Sequence, residues 1–399
     1  MSSGSTSTLT ELRLFGDGER FDPQPARYAE SSYEFLNRVA SPYWARVRDE
    51  LEVWFEALPA HAKADLRGRF VDRSAQQHYP AWWELYLFTL FSRLGFELEV
   101  HPETGSRRTR PDFRCTRDVS SFYLEATTVF SGIVEEGRHA EREGWILDLV
   151  NEARNPNFFV HLAFRAVGSQ RPKRGEIVTP IEKWLATLDP DAVEPTLREN
   201  SDALDLVIRD WIIELNPIPL KPEARGRKDH RLLGIGPMSS GFVNDVQKLR
   251  GSLERKFSRY GSLDAPLVVG VLMMSGSVDR ETVEQALFGD EAIQLSTSNP
   301  EDYRAIRKRN GAWVKESGPA ATAVSAVAVS SRLRPWTCAS HLPKFWLHPW
   351  ARAPLLCELP FVHAAVSDEG SLVYADARVS ASELLGLPLD WPGPEPAFD

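Results

Sequence analysis

Four side chains with oxygen atoms, Glu84, Asp112, Glu125 and Thr127, form the densest group of candidate metal ligands in this sequence. Asp112 follows Pro111 at the start of a predicted strand, and Glu125 lies thirteen residues on, within the apolar run FYLEAT. A carboxylate in an apolar strand is costly unless it is paired, hydrogen-bonded or bound to a cation. Two carboxylates on neighbouring strands suit Mg²⁺, which prefers a few oxygen ligands and retains waters.

The elements that must position these side chains follow from hydrophobic periodicity. Residues 80–94 (PAWWELYLFTLFSRL) are apolar at helical spacing, with a proline in the first turn and Glu84 among the tryptophans. Alternation and β-branched or aromatic residues then predict strands at 96–100, 111–115 and 122–129. A helix at 138–153 and a strand at 158–166 come next, so the predicted order is helix, three strands, helix, strand.

This order and these acids together resemble the restriction-endonuclease-like PD-(D/E)XK nuclease superfamily. In that superfamily a helix carries a Glu, a strand carries the Asp of "PD", and the next strand carries "(D/E)xK". Here Glu84 takes the helix position, Pro111-Asp112 the PD, and Glu125-Ala126-Thr127 the last motif. The resemblance covers roughly residues 79–167, under a quarter of the chain.

The resemblance implies a metal-dependent nuclease that hydrolyses phosphodiester bonds in DNA, of the kind found in bacterial restriction or phage defence. Asp112 and Glu125 would then hold Mg²⁺ or Mn²⁺, which activates a water molecule and stabilises charge on the phosphate. Glu84 is expected to supply a third oxygen to the metal or to orient a water molecule. His101, at the end of the first predicted strand, is an optional assistant.

The sequence departs from the family pattern at Thr127, which stands where the family has a lysine. Thr127 can donate a hydrogen bond but carries no charge, and the sequence has no lysine between Lys63 and Lys173. An arginine is a poor proton acceptor because it stays protonated. Since members of this superfamily can move the lysine to another element, we expect Lys256, on a helix predicted at 242–260, to act as its replacement.

Arginines concentrate around the Pro111-Asp112 motif. They could neutralise phosphates next to the metal site, although the formal net charge of −9 predicts no general affinity for nucleic acid. The expected nucleic-acid-binding residues are Arg107, Arg108, Arg110 and Arg114.

Composition sets the broader class. The chain has 399 residues, of which 42% are hydrophobic, and three well-separated cysteines that argue against a disulfide framework or a zinc site. No apolar run approaches the ~18 residues of a membrane span. The N-terminal segment lacks the basic and apolar regions of a signal peptide, so we expect a cytoplasmic protein without membrane association.

We therefore expect an α/β protein with a mixed central sheet flanked by helices, its restriction-endonuclease-like core followed by a C-terminal extension. The expected divisions are a helical segment at 1–75, the nuclease-like core at 76–170, and an α/β extension at 171–399 packed on the same sheet. Dimers are common among restriction-like nucleases because two sites cut two strands, so a homodimer is compatible with the resemblance. Dependence on a partner protein is left open.

Each acid also has an ordinary explanation. Asp112 could be a turn or strand-end residue, Glu125 could face solvent on an edge strand, and Glu84 could pair with an arginine such as Arg93 or Arg110. Because Thr127 replaces the lysine, the alternative function is a catalytically inactive nuclease-like module that binds nucleic acid or a protein. A purely structural α/β protein is the third interpretation, and it is favoured over the nuclease if Glu84, Asp112 and Glu125 do not converge within about one metal-coordination shell.

Overall fold

The computed structural model describes residues 12–104, 110–130, 134–194, 202–227, 230–234, 245–257, 259, 263–274, 278–295, 303–367 and 371–394, with the backbone alone at 134–141 and 303. The helices are α1 (Ser32–Arg38), α2 (Pro42–Glu56), α3 (Ala60–Phe70), α4 (Ala75–Arg93), α5 (Val134–Glu152), α6 (Arg174–Leu185), α7 (Asp245–Phe257), α8 (Arg280–Phe288) and α9 (Ala381–Leu385). The strands are β1 (Glu97–Val100), β2 (Phe113–Arg117), β3 (Ser120–Val129), β4 (Phe158–Ala166), β5 (Leu204–Ile208), β6 (Trp211–Pro219), β7 (Leu267–Met273), β8 (Glu291–Leu295), β9 (Tyr303–Arg307), β10 (Val314–Lys315), β11 (Gly318–Pro319), β12 (Ala326–Ser331), β13 (Lys344–Leu347), β14 (His363–Val366) and β15 (Leu372–Ala375). Among these helices, none has the length and apolar character that crossing a membrane requires.

The chain folds as two compact units that do not follow one another along the sequence. The first unit contains the described residues of 1–21, 36–131 and 243–396, and the second those of 22–35, 132–242 and 397–399. Most of the second unit, residues 132–242, is therefore inserted in the sequence between β3 and α7 of the first. This division differs from the expected divisions at 1–75, 76–170 and 171–399, because the sequence has no composition change that marks where the insertion begins or ends.

The first unit is built on a mixed sheet of eight strands in the order β1-β2-β3-β7-β12-β13-β14-β15. The strands β1, β2 and β3 are antiparallel to one another, whereas β3, β7 and β12 run parallel. The expected mixed α/β sheet flanked by helices is thus confirmed. Most of the C-terminal part extends this sheet through β13, β14 and β15, although the Pro-rich and Trp-rich tail shows little strand periodicity.

Alternation along β3 separates the two faces of this sheet. Tyr123 and Val129 belong to a core that includes Leu253 of α7 and Leu287 of α8. Phe122 instead stacks edge-on with Phe91 of α4 at 5.5 Å. Residues with odd numbers in β3 therefore face α7 and α8, and even ones face α4, as the two-residue period of a strand requires.

The helix α4 is apolar on all sides because it is enclosed. Trp82, Trp83, Tyr86 and Phe91 are all fully buried, and such a helix belongs in the interior of a unit. It begins at Ala75, five residues before the proline that the sequence places in its first turn, and Ser74 caps it by accepting a hydrogen bond from a backbone N–H.

The second unit carries the strand at 158–166 that the sequence predicts. This strand, β4, is not the fourth strand of the main sheet, and that expectation is corrected. It pairs with β6 in a separate antiparallel sheet ordered β4-β6-β5, which packs on α5 and α6 through residues such as Ile146, Ile181 and Trp211. The strand that lies parallel to β3 is β7, since its fully buried LVVGVLM run has apolar partners on both faces.

Gly270 of β7 provides a test of this packing. A Cβ atom at this position would lie 2.9 Å from Leu87 Cδ1, and the indole N–H of Trp83 donates to the Gly270 carbonyl at 3.0 Å. We expect Gly270→Val to lower the free energy of unfolding by about 2 kcal/mol, because overpacking displaces α4. Urea unfolding followed by tryptophan fluorescence measures the change.

Gly68→Ala is the matched control for that substitution. Gly68 is exposed on α3, and a Cβ atom added there would have no neighbour within 4 Å, so alanine should raise stability by up to about 1 kcal/mol. Equal effects of the two substitutions would show that α4 does not pack closely on β7.

Candidate active site

The candidate site lies along the edge of β3 where β2 leaves it. The antiparallel pairing of β2 with β3 ends at Phe113 and Leu124, while pairing of β3 with β7 continues to Val129. Asp112, just before β2, occupies the position that the next ladder partner would take. Its Oδ2 atom accepts a hydrogen bond from the backbone N–H of Ala126 at 2.6 Å. This bond fixes the Asp112 carboxylate beside the last motif.

Glu125 is buried, with 2% of its surface exposed, and points towards α7. The Nζ atom of Lys256 lies 2.5 Å from Glu125 Oε1 and 3.3 Å from the carbonyl oxygen of Ala126. Arg259 places Nη1 3.4 Å from the same Oε1 atom. Two cations from the C-terminal end of α7 and the residues after it therefore compensate one buried carboxylate, as burial of a charge requires.

A cavity of about 480 Å³ brings most of the predicted site residues together. Its walls come from the start of α4, the segments that follow β1 and precede β2, the second half of β3 and the end of α7, so parts of the chain that are distant in sequence meet there. It is lined by Gln76, Pro80, Glu84, His101, Arg110, Asp112, Glu125, Ala126, Thr127, Thr128, Phe130, Lys256 and Arg259.

Glu84 lines this cavity but is held by an arginine of α3. Arg69 donates from Nη1 and Nη2 to the two carboxylate oxygens of Glu84, at 2.7 and 2.6 Å. Such a two-point contact between guanidinium and carboxylate is among the stronger ion pairs in proteins. Glu84 therefore pairs with an arginine, although with Arg69 and not with Arg93 or Arg110. It also borders the cavity.

The crowding of carboxylates acts on Asp112. Burial raises the pKa of Asp112 well above its ordinary value, and the charges of Glu125 and Glu84 raise it further. The hydrogen bond from Ala126 and the charge of Lys256 act in the opposite direction but do not cancel these effects. Strongly raised pKa values of buried acids cluster at functional sites and also occur in structural ion-pair networks.

The oxygen atoms of this site suit a hard divalent cation. Within the part of the chain that the structure describes, no three His, Cys, Asp or Glu side chains are grouped so that they could hold a metal ion. Asp112, Glu125 and the Ala126 carbonyl instead form a set of two carboxylates and one backbone oxygen, and magnesium is often bound by one or two carboxylates with waters. The hydroxyl of Thr128, buried in the cavity wall, has no hydrogen-bond partner among the described residues. The predicted ligand set of Glu84, Asp112 and Glu125 is thus not grouped around one metal position among the described residues, and Arg69 holds Glu84. Asp112, Glu125 and the Ala126 carbonyl are the oxygen atoms that could hold Mg²⁺ here.

Of the four expected phosphate-binding arginines, the two that the structure describes lie at different places. Arg110 lines the cavity, and its Nη2 atom donates to Glu103 at 2.8 Å. Arg114 points elsewhere, since it lies 3.3 Å from Asp264 and over the ring of Tyr123. Arg107 and Arg108 lie outside the described residues.

Three further positions belong to the site. His101 lines the cavity with a left-handed backbone (φ 51°), a conformation that is uncommon outside glycine. Sequence reasoning missed Arg259 and Thr128. Arg259 had a usable signal, because it follows Lys256 at the i+3 spacing of residues on one helical face. Thr128 had none, since a threonine in a strand is ordinary.

Comparisons of the chain with protein-family models, with curated proteins and with solved structures found no match in any of the three.

Removal of the Asp112 charge should stabilise the fold. A carboxyl whose pKa is raised by folding binds protons more readily in the folded chain, so stability falls as pH rises above the ordinary Asp pKa. Asparagine can still accept the Ala126 N–H but carries no charge. We expect Asp112→Asn to be more stable than the wild type by about 1 kcal/mol at about pH 8, a difference that shrinks towards about pH 4. Thermal melting across pH measures it.

Asp264→Asn is the control with the opposite sign. The hydrogen bond from Tyr123 and the charge of Arg114 hold the pKa of Asp264 below its ordinary value, so its stabilisation is present at neutral pH and lost on acidification. Asp264→Asn should therefore melt below the wild type at about pH 8. If Asp112→Asn also melted below the wild type at about pH 8, the neighbouring carboxylates would not destabilise the charged form of Asp112.

Proposed function

We propose that this protein is a metal-dependent phosphodiesterase of the restriction-endonuclease-like type, with DNA as its substrate. The sequence motif supports this through Asp112, Glu125 and the helix residue Glu84. The order of elements supports it as well, since α4, β1, β2 and β3 are followed, after the inserted unit, by α7 and by β7 parallel to β3. Because one fold can support many functions, the activity itself must come from the residues of the site.

The observation that carries the proposal is the position of Lys256. The motif lacks its lysine at Thr127, yet an ammonium group from α7 lies 2.5 Å from the motif glutamate, 131 residues away in sequence. A lysine on the solvent-facing side of a helix would extend into water, whereas the Lys256 side chain contacts β3. Its side chain is 20% exposed and Glu125 2%, so the pair is largely removed from water.

Asp112 and Glu125, with the Ala126 carbonyl, would hold the metal ion. Bound there, Mg²⁺ would lower the pKa of a water molecule and stabilise negative charge on the phosphate oxygens. Hydrolysis joins the water oxygen to phosphorus and breaks the bond to the leaving oxygen, which receives a proton.

The chain's own residues supply orientation and charge. Lys256 has three N–H donors, and its contacts with Glu125 and Ala126 leave one for a water molecule or a phosphate oxygen. Arg259, half exposed at the cavity, presents a planar guanidinium that matches a phosphate in two-point geometry. Thr127 and Thr128 add hydroxyl groups on the wall formed by β3. Arg69 fixes the carboxylate of Glu84 through two hydrogen bonds, so that Glu84 can orient water.

Cleavage of DNA tests the proposal. Supercoiled plasmid, linear duplex and single-stranded DNA are incubated with Mg²⁺, with Mn²⁺ or with EDTA. We expect cutting that requires the metal, and a loss of at least about 100-fold in rate for Asp112→Ala, Glu125→Gln and Lys256→Met. The first two variants would lose a metal ligand, and the third would lose the cation that orients water or the phosphate. Lys256→Arg should restore less than the wild-type rate, since a guanidinium is larger and bound differently from an ammonium.

Arg255→Ala is the matched control, because Arg255 precedes Lys256 on α7 but is exposed and does not line the cavity. It should cut at the wild-type rate. Full activity of Lys256→Met would refute the role of this lysine. Absence of cutting by the wild type on all substrates, together with retained DNA binding, would identify an inactive nuclease-like binding module instead.

A further inference from the structure

A second cavity of the first unit lies at the carboxyl ends of its parallel strands. Its volume is about 230 Å³, and it is bordered by Arg280 at the start of α8, Ser331 at the end of β12, and His341, Leu342, Lys344 and Trp346 around β13. In open α/β sheets, ligands bind outside the carboxyl ends of parallel strands. None of these residues belongs to the candidate active site.

Two cations, Arg280 and Lys344, line this cavity, and a third, Arg332, is the next residue after the lining residue Ser331; we call these three the carboxyl-end patch. Arg332 follows Ser331 directly, is exposed, and has a left-handed backbone at φ 54°, which is a strained conformation for a long side chain. Lys344 is exposed and is paired in the sheet with Val329. Neither Arg332 nor Lys344 forms an ion pair with any carboxylate of the described residues.

The acids close to the patch are already engaged. Asp279 caps α8, since its Oδ1 atom accepts from the backbone N–H and the hydroxyl of Thr282, both at 2.8 Å. Glu284 lies 3.5 Å from Arg280, and its other oxygen lies 3.9 Å from Arg307. Burial lowers the pKa of His341 and the charge of Lys344 lowers it further, so the imidazole is a neutral hydrogen-bonding group here. The patch therefore carries positive charge that the fold does not neutralise.

The register of the sheet relates the patch to the candidate active site. Met273 of β7 is paired with both Val129 of β3 and Ser331 of β12. Glu125 lies four residues before Val129, so Ser331 is two strands across and four residues along from the motif glutamate. With spacings of ~4.8 Å between strands and ~3.3 Å per residue, this separation is roughly 16 Å.

We propose that the carboxyl-end patch binds phosphates of the nucleic-acid strand whose scissile phosphate occupies the candidate active site. This inference rests on the proposed function and adds the surface that holds the rest of the substrate. At ~3.4 Å of helix axis per phosphate, a separation of roughly 16 Å corresponds to about five nucleotides of one strand. Arg332 and Lys344 bind the backbone without reading its sequence, and they set how much strand must extend from the cut for full affinity.

Binding and cleavage are measured for the double variant Arg332→Ala/Lys344→Ala. DNA binding is titrated in EDTA with fluorescent oligonucleotides across a range of salt concentrations. We expect affinity to fall roughly tenfold, and the slope of log K against log salt to fall in magnitude by about 1.8 for duplex DNA, since two phosphate contacts are lost. Hydrolysis of bis(p-nitrophenyl) phosphate, which is too small to reach the patch, should keep its wild-type rate.

The matched control is Lys308→Ala/Arg352→Ala, which also removes one lysine and one arginine. Lys308 lies beside the C-terminal end of α8, where its N–H donates to Asp290, and Arg352 donates its N–H to Thr322, ahead of β12. Both are exposed and lie away from the carboxyl ends of the strands. This control should leave the affinity within about twofold of the wild type and the salt slope unchanged, because exposed charges more than a Debye length from the DNA are largely screened.

A length series completes the experiment. Wild-type affinity should rise as the strand is extended on one side of the cut to about five nucleotides and then level off, whereas the patch variant should show no such rise. Equal affinity of the patch and control variants, or no dependence on length on either side, would overturn the patch alone. Wild-type binding that depends on the patch without any hydrolysis would overturn the proposed function and leave the patch standing. Absence of DNA binding by the wild type would overturn both.

Discussion

Glu125 is a charge buried between β3 and α7, and the arrangement of the first unit depends on how that charge is compensated. An isolated ionised carboxylate in such surroundings would be strongly unfavourable, and removing one partner of a buried pair is costly for the same reason. Lys256 and Arg259 both reach its Oε1 atom, from the end of α7 and the residues that follow it. The position of α7 over β3, and therefore the entry of the chain into β7, is tied to this contact.

Two of the three acids at this site are paired with cations, and the third has a raised pKa. Glu84 is matched by Arg69, and Glu125 by Lys256 with Arg259, while Asp112 has a backbone N–H as its closest partner. The raised pKa of Asp112 expresses that imbalance. A fold selected for stability alone would not place a third carboxylate there, because proteins gain stability when such conflicts are removed. A divalent cation bound between the carboxylates would offset this loss of stability.

Much of the site could be predicted from the sequence because its signals are local. Glu84 sits in a helix whose apolar periodicity is unmistakable, and Asp112 and Glu125 sit at strand positions where apolar residues would be expected. Because the motif lacks its lysine, the cation that replaces it had to be an arginine of the nuclease-like core or a lysine from the second half of the chain. That Lys256 reaches Glu125 is a geometric finding, and its catalytic role is for the cleavage assay to decide. Glu84 shows the limit of such reasoning, since nothing in the sequence reveals that Arg69 holds both of its oxygens.

The sequence by itself determined the elements and their class: the apolar helix α4, the strands β1 to β3 and the acids they carry. Periodicity and side-chain chemistry act over a few residues, so these features can be recognised without knowledge of distant contacts. Tertiary structure decided which strands share a sheet. The run at 158–166 reads as a good fourth strand, but its apolar face finds partners in α5 and α6, while β7, more than a hundred residues further on, completes the parallel ladder with β3. Which strands pair depends on the apolar surface that the whole unit buries, and that burial depends on contacts between residues far apart in the sequence.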